Sequence, residues 1–112
     1  MRSISTHVLD ITRGKPAQGV PVTIDKKEGD VYTRLNAGST DADGRLKELV
    51  PEGKLETGTY RITFDTGAYF TAQGVEGFYP EASIVFVIRE AAAHHHVPLL
   101  LSAFGYSTYR GS

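Results

Sequence analysis

The chain has 112 residues, of which 40% are apolar and 22% are charged. This length and balance are typical of one globular domain, here expected to span 1–112, and exclude a disordered or coiled-coil chain. Twelve Lys and Arg against thirteen Asp and Glu give a formal net charge of −1, so the basic surplus of a nucleic-acid or anionic-membrane binder is missing. The absence of cysteine excludes disulfides and thiolate zinc sites. With neither a secretory signal nor a long apolar run, the expected location is the cytoplasm.

The sequence predicts a mainly β structure. Val, Ile, Thr, Phe and Tyr make up about a third of the chain, and these residue types favour strands. Twelve glycines and five prolines divide the chain at short intervals, which is typical of a sandwich or barrel of short strands. One short helix is predicted over 66–74, with Thr66 as its N-cap, and residues 51–53 are predicted as loop. The predicted strands cover residues 4–11, 20–27, 31–37, 45–49, 58–65, 83–89, 94–102 and 106–110.

Two of these strands alternate apolar and polar residues, as half-buried strands do. The side chains that we expect to point into the core share this alternation, and they are Val20, Val22, Ile24, Tyr60, Ile62 and Phe64.

The strand predicted to contain three consecutive histidines is apolar on both faces over most of its length. Successive side chains point to opposite sides of a sheet, so His95 shares one face with three apolar residues. The other face carries His94, His96, Pro98 and Leu100. A small sandwich covers one face with its own core, and the other face then needs a partner subunit. The pattern therefore predicts oligomerisation, with the His94 and His96 face at or near the subunit interface.

His7, His94 and His96 are the first candidates for chemistry, and they admit three interpretations. They can be ordinary strand residues, one of them a hydrogen-bonded core histidine. They can bind zinc, because His-x-His on a strand presents two imidazoles to one ion and His7 can supply a third ligand. They can form a metal-free acid/base pair, because an imidazole with an ordinary pKa of about 6.5 takes a proton from water at neutral pH. The spacing alone does not choose among these interpretations.

Arg45 and the chain end add two further candidates. Arg45 follows a turn-forming run, Asp41-Ala42-Asp43-Gly44, although a lone arginine is usually a solvated surface residue. Chain ends are usually disordered, but residues 106–109 have the pattern of a packed strand. We therefore expect Ser112 and its terminal carboxylate to be held in place.

Three stretches, at the start, middle and end of the chain, carry a recognisable pattern. They are Ser5-Thr6-His7-Val8-Leu9-Asp10, then Thr40 with Asp43-Gly44-Arg45, and finally His94-His95-His96-Val97-Pro98-Leu99-Leu100-Leu101-Ser102 continuing to Tyr106-Ser107-Thr108-Tyr109-Arg110-Gly111-Ser112. Together they closely resemble the motifs of the transthyretin-like 5-hydroxyisourate hydrolases. The terminal Tyr-Arg-Gly-Ser is the most specific piece, because within this family it separates the hydrolases from the hormone carrier transthyretin.

This resemblance implies an all-β, transthyretin-like two-sheet β-sandwich of about eight strands and one short helix. It implies a homotetramer, a dimer of dimers, with sites in a channel at the dimer–dimer interface. It also implies that four residues are catalytic, namely His7, Arg45, His96 and Ser112. The expected substrate-binding residues are His94, which matches the family's first motif histidine, Tyr109 of the terminal segment, and Pro98 and Ser107, which alternation places on the same face. No metal or other cofactor is expected, and the expected partner is a small substrate rather than a nucleic acid or a membrane.

The chain departs from the family pattern at a few positions. His95 stands where the family usually has Tyr, Tyr79 where a second Phe is common, and Ala103-Phe104 where Pro-Tyr is usual. None of these is a predicted catalytic residue. By alternation His95 points away from His94 and His96, so we expect these departures to change local packing only.

The implied reaction is hydrolysis of 5-hydroxyisourate, the unstable product of urate oxidation, to 2-oxo-4-hydroxy-4-carboxy-5-ureidoimidazoline. Water opens an amide-like C–N bond, which requires a base, stabilisation of the attacked carbonyl and a proton for the leaving nitrogen. We expect His7 and His96 to transfer the protons, in an order that the sequence does not decide. Arg45 is expected to hold the carbonyl and its developing oxyanion, and Ser112 to orient an imidazole or the substrate.

Three alternatives to this function stay open at the level of sequence. The first is a transthyretin-like carrier of small ligands without turnover, since fold does not determine function. The second is a zinc-dependent hydrolase using His7, His94 and His96. The third is a structural β-sandwich domain without a ligand.

Overall fold

The computed structural model describes residues 3–50 and 55–112, so the loop predicted over 51–53 lies outside the described residues. The described chain forms nine strands and one helix. In order they are β1 (Ile4–Asp10), β2 (Lys15–Pro16), β3 (Pro21–Glu28), β4 (Val31–Ser39), β5 (Arg45–Val50), β6 (Gly58–Phe64), α1 (Thr66–Ala72), β7 (Ala82–Ile88), β8 (His95–Ser102) and β9 (Gly105–Thr108).

The strands form two sheets that pack face to face. In the five-stranded sheet β1 is central: β8 runs parallel to it on one side, and β2 and β5 pair antiparallel with it on the other. Strand β9 extends this sheet by pairing antiparallel with β8. The second sheet has the order β4-β3-β6-β7, with every pair antiparallel. The predicted two-sheet all-β architecture is confirmed.

The core lies between the two sheets and follows the predicted alternation. All six residues predicted to point inward from 20–27 and 58–65 are buried, with no more than 1% of any of them exposed. From the other sheet the core receives Ile4 and Val8 of β1, and Val97, Leu99 and Leu101 of β8. Full burial of one large apolar side chain contributes about 1.5–3 kcal/mol, so this layer supplies much of the stability that holds the outer faces in place.

The helix lies within its predicted range, but the predicted N-cap is wrong. Asp65 caps the helix, because its carboxylate accepts the Ala68 N–H at 2.9 Å. Thr66 is the first helical residue, and its hydroxyl donates instead to the Tyr79 carbonyl at 2.8 Å. Asp and Thr are both favoured N-caps, and the buried Thr66 hydroxyl is satisfied by its tertiary contact.

The helix has seven residues. No helix in the described part of the chain is long and apolar enough to cross a membrane.

The strand bounds differ from the prediction mainly at the ends. Strand β2 was not predicted; it pairs with the end of β1, in the register Leu9 to Pro16 and Asp10 to Lys15. Strand β1 stops where the Asp10 side chain accepts the N–H groups of Thr12 and Arg13, at 3.1 and 3.0 Å.

Strand β9 ends at Thr108 rather than at residue 110. Strand β8 begins at His95, so His94 precedes the strand.

Candidate active site

Strand β1 assembles the candidate site because its two neighbours bring distant parts of the chain beside it. In the parallel pair Ser5 lies opposite His96, and His7 lies opposite Pro98. In the antiparallel pair His7 lies opposite Arg45. Side chains of directly paired residues share a sheet face. These residues therefore meet on the outer face of the five-stranded sheet.

A tight turn positions Arg45 at the start of β5. The Asp41 carboxylate accepts the N–H groups of Arg45 and Asp43, each at 2.9 Å, and these bonds, that of Arg45 first, lower the pKa of Asp41. Gly44 has a φ of +74°, and a Cβ there would collide with the Val8 carbonyl. Its own carbonyl accepts the Val8 N–H at 2.7 Å. Position 44 thus needs glycine for the turn to dock on β1.

His96 is held from two sides. Its Nδ1 lies 2.7 Å from Ser5 Oγ, which leaves Nε2 as the nitrogen available to water or a ligand. The chain end continues antiparallel alongside β8 in the register of β9, and the Gly111 N–H donates to the His96 carbonyl at 2.8 Å. A Cβ on residue 111 would lie 2.5 Å from His96 Cδ2 and 3.2 Å from Pro98 Cγ. Only glycine lets the terminus pass this close to the ring.

The terminal segment forms one side of a cavity of about 320 Å³. Its wall is formed by Ser5, Thr6, Arg45, Lys47, His94, His96 and Ser112. Ligand pockets usually start at about 300 Å³, so this volume suits a small molecule. The cations Arg45 and Lys47 favour an anionic or carbonyl-rich ligand.

Burial and neighbouring charge keep His96 neutral. Partial burial lowers the pKa of His96 below its ordinary value, and the charges of His94, Arg45 and His7 lower it further. Arg45 is permanently charged, and a proton on His96 would be repelled by Arg45 and by any proton on His94 or His7, so the neutral form of His96 is favoured. At neutral pH His96 is therefore in the form that a general base needs.

The family model for the HIUase/Transthyretin family matches residues 4–111. The chain belongs to this family. A 5-hydroxyisourate hydrolase from Salmonella dublin is 50% identical over 109 residues, which cover 97% of this chain and 80% of the relative. Among solved structures, Klebsiella pneumoniae 5-hydroxyisourate hydrolase matches with a TM-score of 0.86 and 41% identity, covering 98% of this chain and 99% of that chain. Transthyretin from Sparus aurata matches with a TM-score of 0.93 and 35% identity, covering 99% of this chain and 97% of that chain.

These matches confirm the resemblance and the transthyretin-like fold predicted from the sequence motifs. Against this family background the structure brings together four of the predicted site residues in one cavity: Arg45, His94, His96 and Ser112. His7 is half-buried on the same sheet face, beside the cavity rather than in its wall.

The remaining predicted substrate-binding residues lie further away. Pro98 is buried and lies opposite His7 in the β1–β8 pair. Ser107 is exposed on β9 and lies opposite Leu100. Tyr109 lines a second, apolar cavity of about 210 Å³ between β7 and β8, together with His95 and Arg110.

His95 points into the sandwich, as alternation predicted, and is 5% exposed. Its Nδ1 makes no hydrogen bond within residues 3–50 and 55–112. Burial, with the charge of Arg110 beside it, lowers its pKa.

The zinc alternative gains no support from the arrangement of the ligand groups. Across the described residues, no three His, Asp or Glu side chains converge as a metal site would require. One nitrogen each of His94 and His96 is hydrogen-bonded to Ser5 instead.

Ser5 and Lys47 belong to the cavity wall but were given no role from the sequence. Ser5 lies two residues before His7 in β1, and Lys47 lies two residues after Arg45 in β5. Period-two alternation around the two predicted catalytic residues was therefore the signal that could have identified them.

Proposed function

We propose that this protein hydrolyses 5-hydroxyisourate to 2-oxo-4-hydroxy-4-carboxy-5-ureidoimidazoline, a step in urate and purine degradation. The observation that carries this proposal is the shared cavity of Arg45, His96 and Ser112, which come from β5, β8 and the segment after β9. Half of the aligned residues are identical to those of a Salmonella relative named for this reaction. The chain also contains Tyr109-Arg110-Gly111-Ser112, the sequence that, by the resemblance, distinguishes the hydrolases from transthyretin.

In this mechanism His96 is the general base. Its Nε2 takes a proton from water while the water oxygen attacks the ring carbonyl. A positioned base of this kind typically contributes about 10²–10⁴-fold in rate. We assign the proton for the leaving nitrogen to His7, which requires the substrate to extend past Arg45 toward His7, its partner in the β1–β5 pair. The reaction needs neither a covalent intermediate nor a metal-bound water.

The cations in the cavity wall stabilise the negative charge that develops on the substrate. Arg45 is permanently charged and planar, so it can hold the carbonyl and the oxyanion that develops on it. Lys47 adds a second cation that attracts the anionic substrate. Ser112, through its hydroxyl or its terminal carboxylate, orients the substrate against His96.

Substrate contacts are assigned by position on the sheet face. His94 lies in the cavity wall, and Pro98 and Ser107 extend the same face along β8 and β9. For Tyr109 we propose a different contribution from direct contact. Tyr109 lines the second cavity and is 58% exposed, and its buried part anchors the terminal segment that carries Ser112.

The decisive experiment follows the absorbance of freshly generated 5-hydroxyisourate with and without the protein. Faster decay that persists after exhaustive chelation supports the metal-free hydrolase, and loss of activity on chelation would favour the zinc alternative. Binding of the substrate without faster decay would favour the carrier alternative. The structural match to a transthyretin is the observation behind that alternative.

We also propose that the protein is a homotetramer in the cytoplasm. Strands β7 and β9 are sheet edges, and Val85 and Val87 of β7 are 56% and 46% exposed, which favours pairing with another copy. The exposed apolar area on the outer face of β8 is smaller than the sequence predicts, because Pro98 is buried and Leu100 is half-buried within the chain. Sedimentation equilibrium should give about four times the 12.2 kDa chain mass; a monomer at assay concentration would contradict the tetramer.

Cell fractionation would test the proposed cytoplasmic location.

A further inference from the structure

One hydroxyl group joins two imidazoles in the candidate site. Ser5 Oγ lies 2.7 Å from Nδ1 of His96 and 2.8 Å from Nε2 of His94. Ser5 is buried, His96 is half-buried and His94 is exposed. The three groups therefore form a chain that runs from the cavity to solvent.

The hydrogen count of this chain restricts its states. A serine hydroxyl has one hydrogen to donate, and a neutral imidazole has one N–H and one accepting nitrogen. Ser5 can therefore donate to one histidine only, and the other histidine must donate to Ser5.

The two possible directions give His96 different chemistry. When Ser5 donates to Nδ1 of His96, the ring proton of His96 is on Nε2, and His96 cannot accept a proton from water there. When Nδ1–H of His96 donates to Ser5, Nε2 carries a free lone pair, and Ser5 donates to Nε2 of His94. Only this second direction lets His96 act as a base at the cavity.

We propose that Ser5 is a positioning residue that fixes the tautomer of His96 and passes the proton taken from water on to His94. This inference rests on the proposed function insofar as it takes His96 as the base. As the water oxygen bonds to the substrate carbonyl, its proton moves to Nε2 of His96. The Nδ1 proton of His96 then moves to Ser5 Oγ, and the Ser5 hydroxyl proton moves to Nε2 of His94. Ser5 and His96 end neutral, and His94 carries the positive charge that balances the oxyanion.

The surroundings favour this direction of transfer. A charge on His96 would be half-buried and would face Arg45, Lys47 and His7. The Ser112 carboxylate is the one anionic group among the residues that line the cavity. The same charge on exposed His94 is hydrated. After turnover the two shared protons return through Ser5 and His96 releases its Nε2 proton to water in the cavity, which restores the starting tautomer. Burial and nearby cations also lower the pKa of His96, consistent with His96 passing the proton on.

The test removes the Ser5 hydroxyl and reads the tautomer directly. In Ser5→Ala, the ¹⁵N chemical shifts of the His96 ring should change from one dominant tautomer to a mixture. We expect kcat to fall at least about tenfold with little change in KM, and Ser5→Thr, which keeps a hydroxyl, to restore much of both signals. Ser3→Ala is the matched control, because Ser3 is also buried but donates to the Val50 carbonyl at 2.8 Å.

A double-mutant cycle with His94→Ala tests whether the proton reaches His94. If the three groups act as one chain, Ser5→Ala should cost much less in a His94→Ala background than in the wild type. Fully additive losses would contradict transfer to His94. If Ser5→Ala does not fold, Ser5→Cys, which has similar volume and a weak donor, takes its place in both experiments.

Failure of this inference can be separated from failure of the proposed function. An active wild type with an unchanged His96 tautomer and rate in Ser5→Ala would overturn the role of Ser5 and leave the hydrolase in place. An inactive wild type would overturn the proposed function, while the ¹⁵N shifts would still show whether Ser5 fixes the tautomer.

Discussion

His96 is the residue on which the proposed chemistry depends most. His96→Asn keeps a polar side chain that can contact Ser5 but removes the basic ring nitrogen at the cavity. We expect kcat for 5-hydroxyisourate decay to fall at least about 10²-fold, with the far-UV circular dichroism and the assembly mass unchanged. Steady-state kinetics at one protein concentration measures the effect, and a rate near that of the wild type would remove His96 from the mechanism.

Gly111 controls where the His96 ring can lie. Gly111→Ala places a Cβ 2.5 Å from His96 Cδ2, so either the ring leaves Ser5 or the terminus leaves the cavity. We expect at least about a tenfold loss in kcat, since either movement misplaces the base. Gly105→Ala is the matched control, because a Cβ there meets only Ser102 Oγ at 3.9 Å. Equal activities of the two variants would show that the close approach of Gly111 is unimportant.

The candidate catalytic residues were predictable from the sequence, whereas their supporting contacts were not. His7, Arg45, His96 and Ser112 sit in motifs whose spacing identifies the family. The bridge from Ser5 to His94 and His96 joins side chains about 90 residues apart, and strand alternation says nothing about such pairs. The predicted N-cap was wrong for a similar reason. Thr66 donates its hydroxyl to the Tyr79 carbonyl, a tertiary contact that the local sequence pattern does not contain.

Strand pairing was the larger unknown among the elements. Alternation correctly gave the buried face of β3 and β6, because one-sided burial imposes a period of two. It could not show that β1 lies between β8 and β5, and this pairing is what brings His7 beside Arg45 and Ser5 beside His96. Strand β2 was missed because two residues carry no period.

The terminal segment after β9 forms part of the cavity wall, and this predicts sensitivity to extension. The segment is fixed by the bridge between Gly111 and His96 and delivers Ser112 to the cavity. Residues added after Ser112 must leave through or over that cavity. We expect a C-terminal tag to lower kcat/KM for 5-hydroxyisourate, and the same tag at the N-terminus serves as the control. A fully active C-terminally tagged protein would contradict a role for the terminus.

At the level of the entire fold, two histidines make stability depend on pH. Burial and the charge of Arg110 lower the pKa of His95, and burial with the charges of His94, Arg45 and His7 lowers that of His96. In the unfolded chain both rings take up protons near the ordinary pKa of about 6.5. Below that pH the unfolded state binds more protons than the folded state. The free energy of unfolding should therefore be fully present above about pH 7 and fall as the pH decreases toward 5.

His95→Phe separates the two contributions, because it removes the buried titrating group but keeps a ring of similar shape in the apolar cavity. The variant should lose less stability than the wild type between pH 7.5 and 5.5, by at most about 1.4 kcal/mol for one suppressed protonation. Urea unfolding at both pH values and one fixed protein concentration measures this difference, since assembly also shifts apparent stability. If the wild type and His95→Phe lose equal stability on acidification, His95 does not titrate as its burial requires. In His95→Phe, the loss of unfolding free energy that remains between pH 7.5 and 5.5 is assigned to His96, the ring that the mechanism needs in its neutral form.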